Sequence, residues 1–165
     1  MTTKPQIELR GIKYTAWASE ETFCYQATLY VDGEKWGTVG NDGHGGCDHF
    51  HGAAGRSYDD IRDLDARIAA TYPATVYSDM TIPASLEGIC AGLVGDWLME
   101  RDFKRAMKCK VLFVKRDTKG LFEFKVKKPH THASTLAAVK AKYPQYIFLA
   151  DLPPAEALER FTRGS

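Results

Sequence analysis

The dipeptide Asp32-Gly33 separates two short runs of strand-like pattern, and it constrains the fold more than any other feature of the sequence. In the run before it, Phe23, Tyr25, Ala27, Leu29 and Val31 recur at every second position, as on one face of a half-buried strand. The run after it reads EKWGTVG. A two-residue type I′ turn between antiparallel strands needs positive φ at both central positions, which Asp and Gly tolerate. The pair therefore predicts a tight hairpin with Val31 opposite Glu34 and Leu29 opposite Trp36.

The flanking segments extend this hairpin into a meander. Ile7 and Leu9 share one parity and Ile12 and Tyr14 the other, so a bulge is expected at Gly11, between them. A loop rich in Gly and His covers residues 40–56. Ser57 with Asp60 three residues later forms a capping box for a helix over residues 58–72. Tyr58, Ile61, Leu64, Ile68 and Tyr72 make its apolar face, and Asp59, Asp60, Asp63 and Asp65 read as solvated. Residues 74–78 suit a short strand. Leu86, Ile89, Cys90, Leu93, Val94, Trp97 and Leu98 then follow helical spacing and predict a core helix over residues 85–106. Gly88, Gly92 and Gly95 lie in that helix and suggest close approach of another backbone.

Residues 109–116 and 121–127 predict a second hairpin across Asp117–Gly120. Phe122, Phe124 and Val126 should face inward, and Glu123, Lys125 and Lys127 outward. A helix over 132–142, a strand over 146–150 and a helix over 154–162 complete the chain. This order favours an α+β fold: an N-terminal antiparallel β-meander plus a second β-hairpin packed against three to four helices. The 165 residues suit a single domain over 1–165, and 44% hydrophobic content supplies a core without staples.

The N-terminal residues MTTKPQIELR contain no apolar leader, and no apolar run approaches the roughly 18 residues of a membrane span. The cysteines Cys24, Cys47, Cys90 and Cys109 form no C-x-x-C pair, so free thiols in a reducing cytoplasm are expected. Cys24, Cys90 and Cys109 fall on strand or helix patterns, as small buried hydrophobes do.

The net charge of +1 conceals a segregation. Residues 1–100 hold 7 basic and 15 acidic side chains, whereas residues 101–128 hold 11 basic and 3 acidic ones. The basic set is Arg101, Lys104, Arg105, Lys108, Lys110, Lys115, Arg116, Lys119, Lys125, Lys127 and Lys128. Gathered on one surface, these residues would hold a phosphate backbone or an acidic protein. The alternative is mutual neutralisation of the two halves, with lysines guarding a strand edge. No helix-turn-helix, zinc-finger or single-strand RNA-binding signature narrows the choice.

The loop from Asn41 to Gly52 holds Asp42, His44, Cys47, Asp48, His49 and His51. On an extended segment Cys47, His49 and His51 would share one face and offer zinc ligands, with His130 or His132 as a fourth. Cys47 could instead be a nucleophile, with His44 or His49 as base and Asp42 or Asp48 orienting it. The plainer alternative is a turn in which Asn41 or Asp42 hydrogen-bonds its own backbone. No phosphate-binding Gly-rich motif, nucleophile elbow or H-E-x-x-H motif is present.

The segments YVDGEKWGTVGNDGHGGCDHFHG and YPQYIFLADLPPAEALERF, about a quarter of the chain, resemble small uncharacterised proteins of bacteriophages and mobile elements. The resemblance brings no activity and no catalytic residues. It implies an accessory role in which a host protein or nucleic acid is bound, in some such proteins to block host defence. The expected function is thus an intracellular, non-enzymatic binding protein using the basic segment or the Gly/His loop, with no cofactor. The alternative is a small metal- or thiol-dependent enzyme centred on the loop 41–52.

Overall fold

The computed structural model describes residues 3–115 and 120–164. The fold is α+β, as the order of sequence patterns predicts. Within the length of one ordinary domain, the chain gathers into two compact units, residues 1–96 and 97–165.

Unit 1 is built on a four-stranded antiparallel meander of β1 (Ile7–Tyr14), β2 (Tyr25–Val31), β3 (Glu34–Asn41) and β4 (His49–Gly52), paired in that order. Asp32 and Gly33 turn the central hairpin with φ of 52° and 83°, and Val31 faces Glu34 as expected. The next expected pair is corrected. Tyr30 pairs with Lys35 and Leu29 with Gly37, leaving Trp36 as an extra residue in a bulge. The bulge lets Trp36 and Val39, which differ in parity, both be buried. The expected bulge at Gly11 is present as a register shift between Arg10 and Lys13.

Strand β4 forms inside the segment read as loop, with His51 opposite Thr38 and His49 opposite Gly40. Its approach depends on Gly37, which has φ of 150° and pairs with Gly52. A Cβ at position 37 would collide with the His51 carbonyl oxygen.

Helix α1 (Tyr58–Thr71) starts at the predicted capping box, in which Ser57 and Asp60 bond each other's backbone N–H. Leu64 and Ile68 are its buried residues, while Tyr58, expected on the apolar face, is 82% exposed. Asp65 is not merely solvated: its carboxylate accepts the Leu86 N–H at 2.6 Å and so caps the next long helix. Between the helices, β5 (Thr75–Tyr77) and β6 (Met80–Ile82) form a hairpin where one strand was expected. All six strand residues are exposed, Val76, Tyr77, Met80 and Ile82 among them.

Helix α2 (Leu86–Cys109) runs three residues beyond its predicted end and contributes to both units. Leu86, Cys90 and Val94, spaced by one turn, are buried, whereas Ile89, Leu93, Trp97 and Leu98 are half-buried. The expected backbone approach at its glycines is not found. Among the described residues nothing lies within 4 Å of a Cβ built on Gly92, and Gly88 and Gly95 meet only side chains.

Unit 2 contains a three-stranded antiparallel sheet in the order β8 (Leu121–Lys125), β7 (Lys110–Val114), β9 (Ile147–Phe148). Four successive β7 residues, Val111 to Val114, are buried, so the strand is covered on both faces. Val111, Phe113 and Phe148 pack with Val139 of α3 (His132–Lys142) on one side. Leu112 and Val114 pack with Ala157 of α4 (Pro154–Gly164), and with Phe103 and Phe161, on the other. The predicted inward face of β8 is only half right. Phe122 and Phe124 stack on Phe113 but remain 45% and 39% exposed, because β8 is an edge strand.

Gly37→Ala should destabilise the protein by about 2 kcal/mol or more, since strained backbone and a collision coincide there. Chemical denaturation measures this, and unchanged stability would show that β3 and β4 are not paired in this register.

Candidate functional site

The Gly/His loop is fixed by one buried side chain. The Asn41 carbonyl oxygen accepts the Thr22 hydroxyl at 2.7 Å and the Gly43 N–H at 2.9 Å. Its amide donates to the Gly46 carbonyl at 2.8 Å and to Asp48 at 3.0 Å. Asn41 thus uses its whole bonding capacity across the loop, the only buried polar residue among those described. The Gly43 carbonyl then accepts N–H groups from Glu20, Glu21 and Thr22, which fastens residues 20–22 to the same loop. The turn expected from Asn41 and Asp42 is therefore present, and Asp42 also accepts the His44 N–H at 3.4 Å.

Asp48 extends this network inward. Its second oxygen accepts the Tyr25 hydroxyl at 2.5 Å, and Tyr25 in turn contacts the buried Cys90 thiol of α2. Burial, and then the negative charge of Asp48, push the Cys90 thiol up to about 12. Burial and the bond to Asp48 push the Tyr25 phenol up as well. Glu87 is also raised, by burial and then by Asp48. The network keeps its thiol and phenol protonated, which is the opposite of what a nucleophile requires.

The remaining loop residues do not converge. Cys47 is exposed, and His44 lies 3.4 Å from Glu20 on the surface. His49 and His51 share one side of β4, as predicted, and line a shallow hollow of about 230 Å³ with Gln26 and Thr38. His132 is used elsewhere: its Nε2 donates to the Lys110 carbonyl at 3.0 Å. Among the described residues no three His, Cys, Asp or Glu side chains stand where they could share a metal ion.

The basic segment makes a more coherent site. Arg101, Lys104, Arg105 and Lys108 recur at helical spacing on one face of α2. Arg101 bonds Asp102 at 3.0 Å and stands 5.2 Å from the Trp97 ring centre. Lys104 pairs with Glu100 at 2.6 Å. Lys110, at the start of β7, pairs with Glu123 of β8 at 2.5 Å. Arg105, Lys108, Lys115 and Lys125 make no ion pair among the described residues and are exposed. Arg116 and Lys119 lie outside the described residues.

Part of this set lines a cleft of about 750 Å³ within unit 2. Arg105, Ala106 and Cys109 of α2, Leu121, Glu123 and Lys125 of β8, and Phe161 of α4 line it. The volume falls within the range of ordinary ligand clefts. Its carboxylates, Asp102 and Glu123, are each held by a cation, so the lining charges without an ion pair among the described residues are Arg105 and Lys125. Cys109, expected to be buried, is the last residue of α2 and exposed at this cleft. The sequence indicated the cations but not the cleft, because its lining includes Phe161 of α4, far beyond β8 in the chain. No family model, curated protein or solved structure matches the chain.

The raised Cys90 has a consequence for stability. Below its ordinary value near 9 the thiol is neutral both folded and unfolded, so its contribution is fully present. As pH rises from about 9 to about 12 the unfolded thiol ionises while the folded one does not, and stability falls. Unfolding free energy measured over that range should decline less steeply in Cys90→Ala than in the unaltered protein. Equal slopes would show that Cys90 is not held in a dry, negatively charged site.

Proposed function

We propose that this chain is a non-enzymatic binding protein that holds an anionic macromolecular partner on the basic surface of unit 2. The observation that carries the reading is the cleft, lined by Ala106, Leu121 and Phe161 together with Arg105 and Lys125, two cations without an ion pair among the described residues. Charge supports it more broadly. Residues 97–165 carry 15 basic and 7 acidic side chains, whereas residues 1–96 carry 7 and 14, so the sign changes where the units divide. A surface of one sign attracts partners of the other at long range and raises their rate of encounter.

The resemblance of residues 30–52 and 143–161 to phage and mobile-element proteins fits a host protein or nucleic acid as that partner, met in the cytoplasm. Among the described residues no helix is long and apolar enough to cross a membrane, which is in keeping with such a partner. Nothing favours catalysis in the loop 41–52, where Asn41 and Asp48 are occupied in holding the chain together.

Replacing Arg105, Lys108 and Lys125 together by Glu tests the reading. None of the three is buried or ion-paired among the described residues, so the fold should tolerate the change. Binding to polyglutamate and to a single-stranded DNA oligonucleotide, followed by fluorescence anisotropy, should weaken by about tenfold or more with the reversal. It should also weaken as salt rises from about 50 to about 200 mM. An unaltered protein that binds neither probe at low salt, or a variant that binds as well as the unaltered chain, overturns the proposal.

A further inference from the structure

Strand β8 pairs with β7 on one side, and no described strand pairs with it on the other. The pairing shows which backbone groups are left over. The Val126 N–H donates to the Cys109 carbonyl at 3.0 Å, and the register continues with Phe124 opposite Val111 and Phe122 opposite Phe113. In an antiparallel ladder the residues that exchange bonds alternate with those that do not. Phe122, Phe124 and Val126 therefore direct their N–H and C=O groups to β7. Glu123 and Lys125 direct theirs to the open edge. Leu121 is screened by the end of α4, since a Cβ on Gly164 would stand 3.1 Å from its backbone nitrogen.

The two sides of this edge differ in chemistry. Phe122 and Phe124 stand half exposed on one side. On the other is the cleft, with Lys125 making no ion pair among the described residues and Glu123 already held by Lys110. Lys127 and Lys128 follow after Val126 and are exposed. Such an edge ordinarily invites pairing with another chain.

We infer that β8 receives an extended acidic segment of a partner protein, which adds as an antiparallel strand to the free edge. This rests on the reading of unit 2 as an anion-binding surface and names the partner's chemistry. Residues directly opposite each other in a ladder place their side chains on the same face. The added strand should thus carry apolar residues opposite Phe122 and Phe124. It should carry an acidic residue opposite Lys125, a neutral one opposite Glu123, and a second acid towards Lys127. Antiparallel addition is favoured over parallel by its stronger pairing. Residues 121–128 hold three lysines and one glutamate, so two copies of this edge repel and an acidic partner is preferred to a second copy. A nucleic acid strand would match the cations but would leave the N–H and C=O groups of the edge without a matching ladder.

The test uses the full chain and the capped peptide Glu-Val-Glu-Val-Thr-Val, with Glu-Glu-Thr-Val-Val-Val as a control of equal composition. The alternating peptide should bind at low salt at least about tenfold more tightly than the control, and Lys125→Glu should remove most of the difference. Methylating the peptide nitrogens of the second Glu and the Thr, which face the edge, should abolish binding. Methylating the nitrogens of the Val residues, which face away, should leave it nearly unchanged. Equal binding of the two peptides, or indifference to which nitrogens are methylated, overturns strand addition while leaving charge recognition standing. Binding of single-stranded DNA but not of the alternating peptide does the same. A dimer in light scattering that Lys125→Glu dissociates would assign the edge to a second copy and also overturn the inference. If neither peptide nor DNA binds at low salt, both this inference and the reading it rests on fall.

Discussion

Strand β7 is covered on both faces, and the arrangement of unit 2 follows from that burial. A strand with no exposed face can carry no charge along Val111 to Val114 without a large desolvation cost. The cations of this region must therefore flank it, on the exposed face of α2 before it and on β8 after it. Burial also requires a layer on each side: α3 covers one face, and α4 with the end of α2 covers the other. The cleft lies where α2, α4 and the outer part of β8 meet. The open edge of β8 has the same origin, since β7 takes β9 as its second neighbour.

In unit 1 the corresponding constraint is a network of polar groups. Asn41, the last residue of β3, joins Thr22, Gly43, Gly46 and Asp48 through four hydrogen bonds. Replacing it would leave several partners buried without bonds, which costs more than the bonds themselves contribute. The loop's abundance of chemically able residues is thus deceptive: Asn41 and Asp48 hold the backbone, while Cys47, His44, His49 and His51 are exposed and form no metal-holding group with other described residues.

The elements most legible in the sequence were those set by local chemistry. Asp32-Gly33 specified its turn, Ser57 with Asp60 its cap, and the helix over 132–142 was placed without error. Elements set by distant partners were harder to see. The bulge at Trp36 leaves a trace, since Trp36 and Val39 cannot share a face in a regular strand, the same parity argument that located Gly11. Strand β4 leaves little, because HFHG has a single apolar side chain and is held by its neighbour β3. Phe122 and Phe124 alternate like core residues, and only the position of β8 at the edge leaves them half exposed. Helix α2 was found by its period, yet its glycines reflect no close packing, so the structure gives no physical account of that row. In the candidate site the cations were evident as a charge run. Their division into paired and unpaired groups was not, because Glu123 and Asp102 must be placed in space before Lys110 and Arg101 can be discounted.

The opposite charge of the two units bears on how the molecule behaves in concentrated solution. A net charge of +1 gives copies of this chain little overall repulsion. At low ionic strength the acidic unit of one copy and the basic unit of the next attract each other. Such a head-to-tail contact joins different surfaces and has no requirement to close into a ring. Added salt shortens the reach of the attraction to about 10 Å at 0.1 M. The chain should accordingly salt in, dissolving more readily in moderate salt than in dilute buffer, although its mean composition is that of an ordinary near-neutral protein.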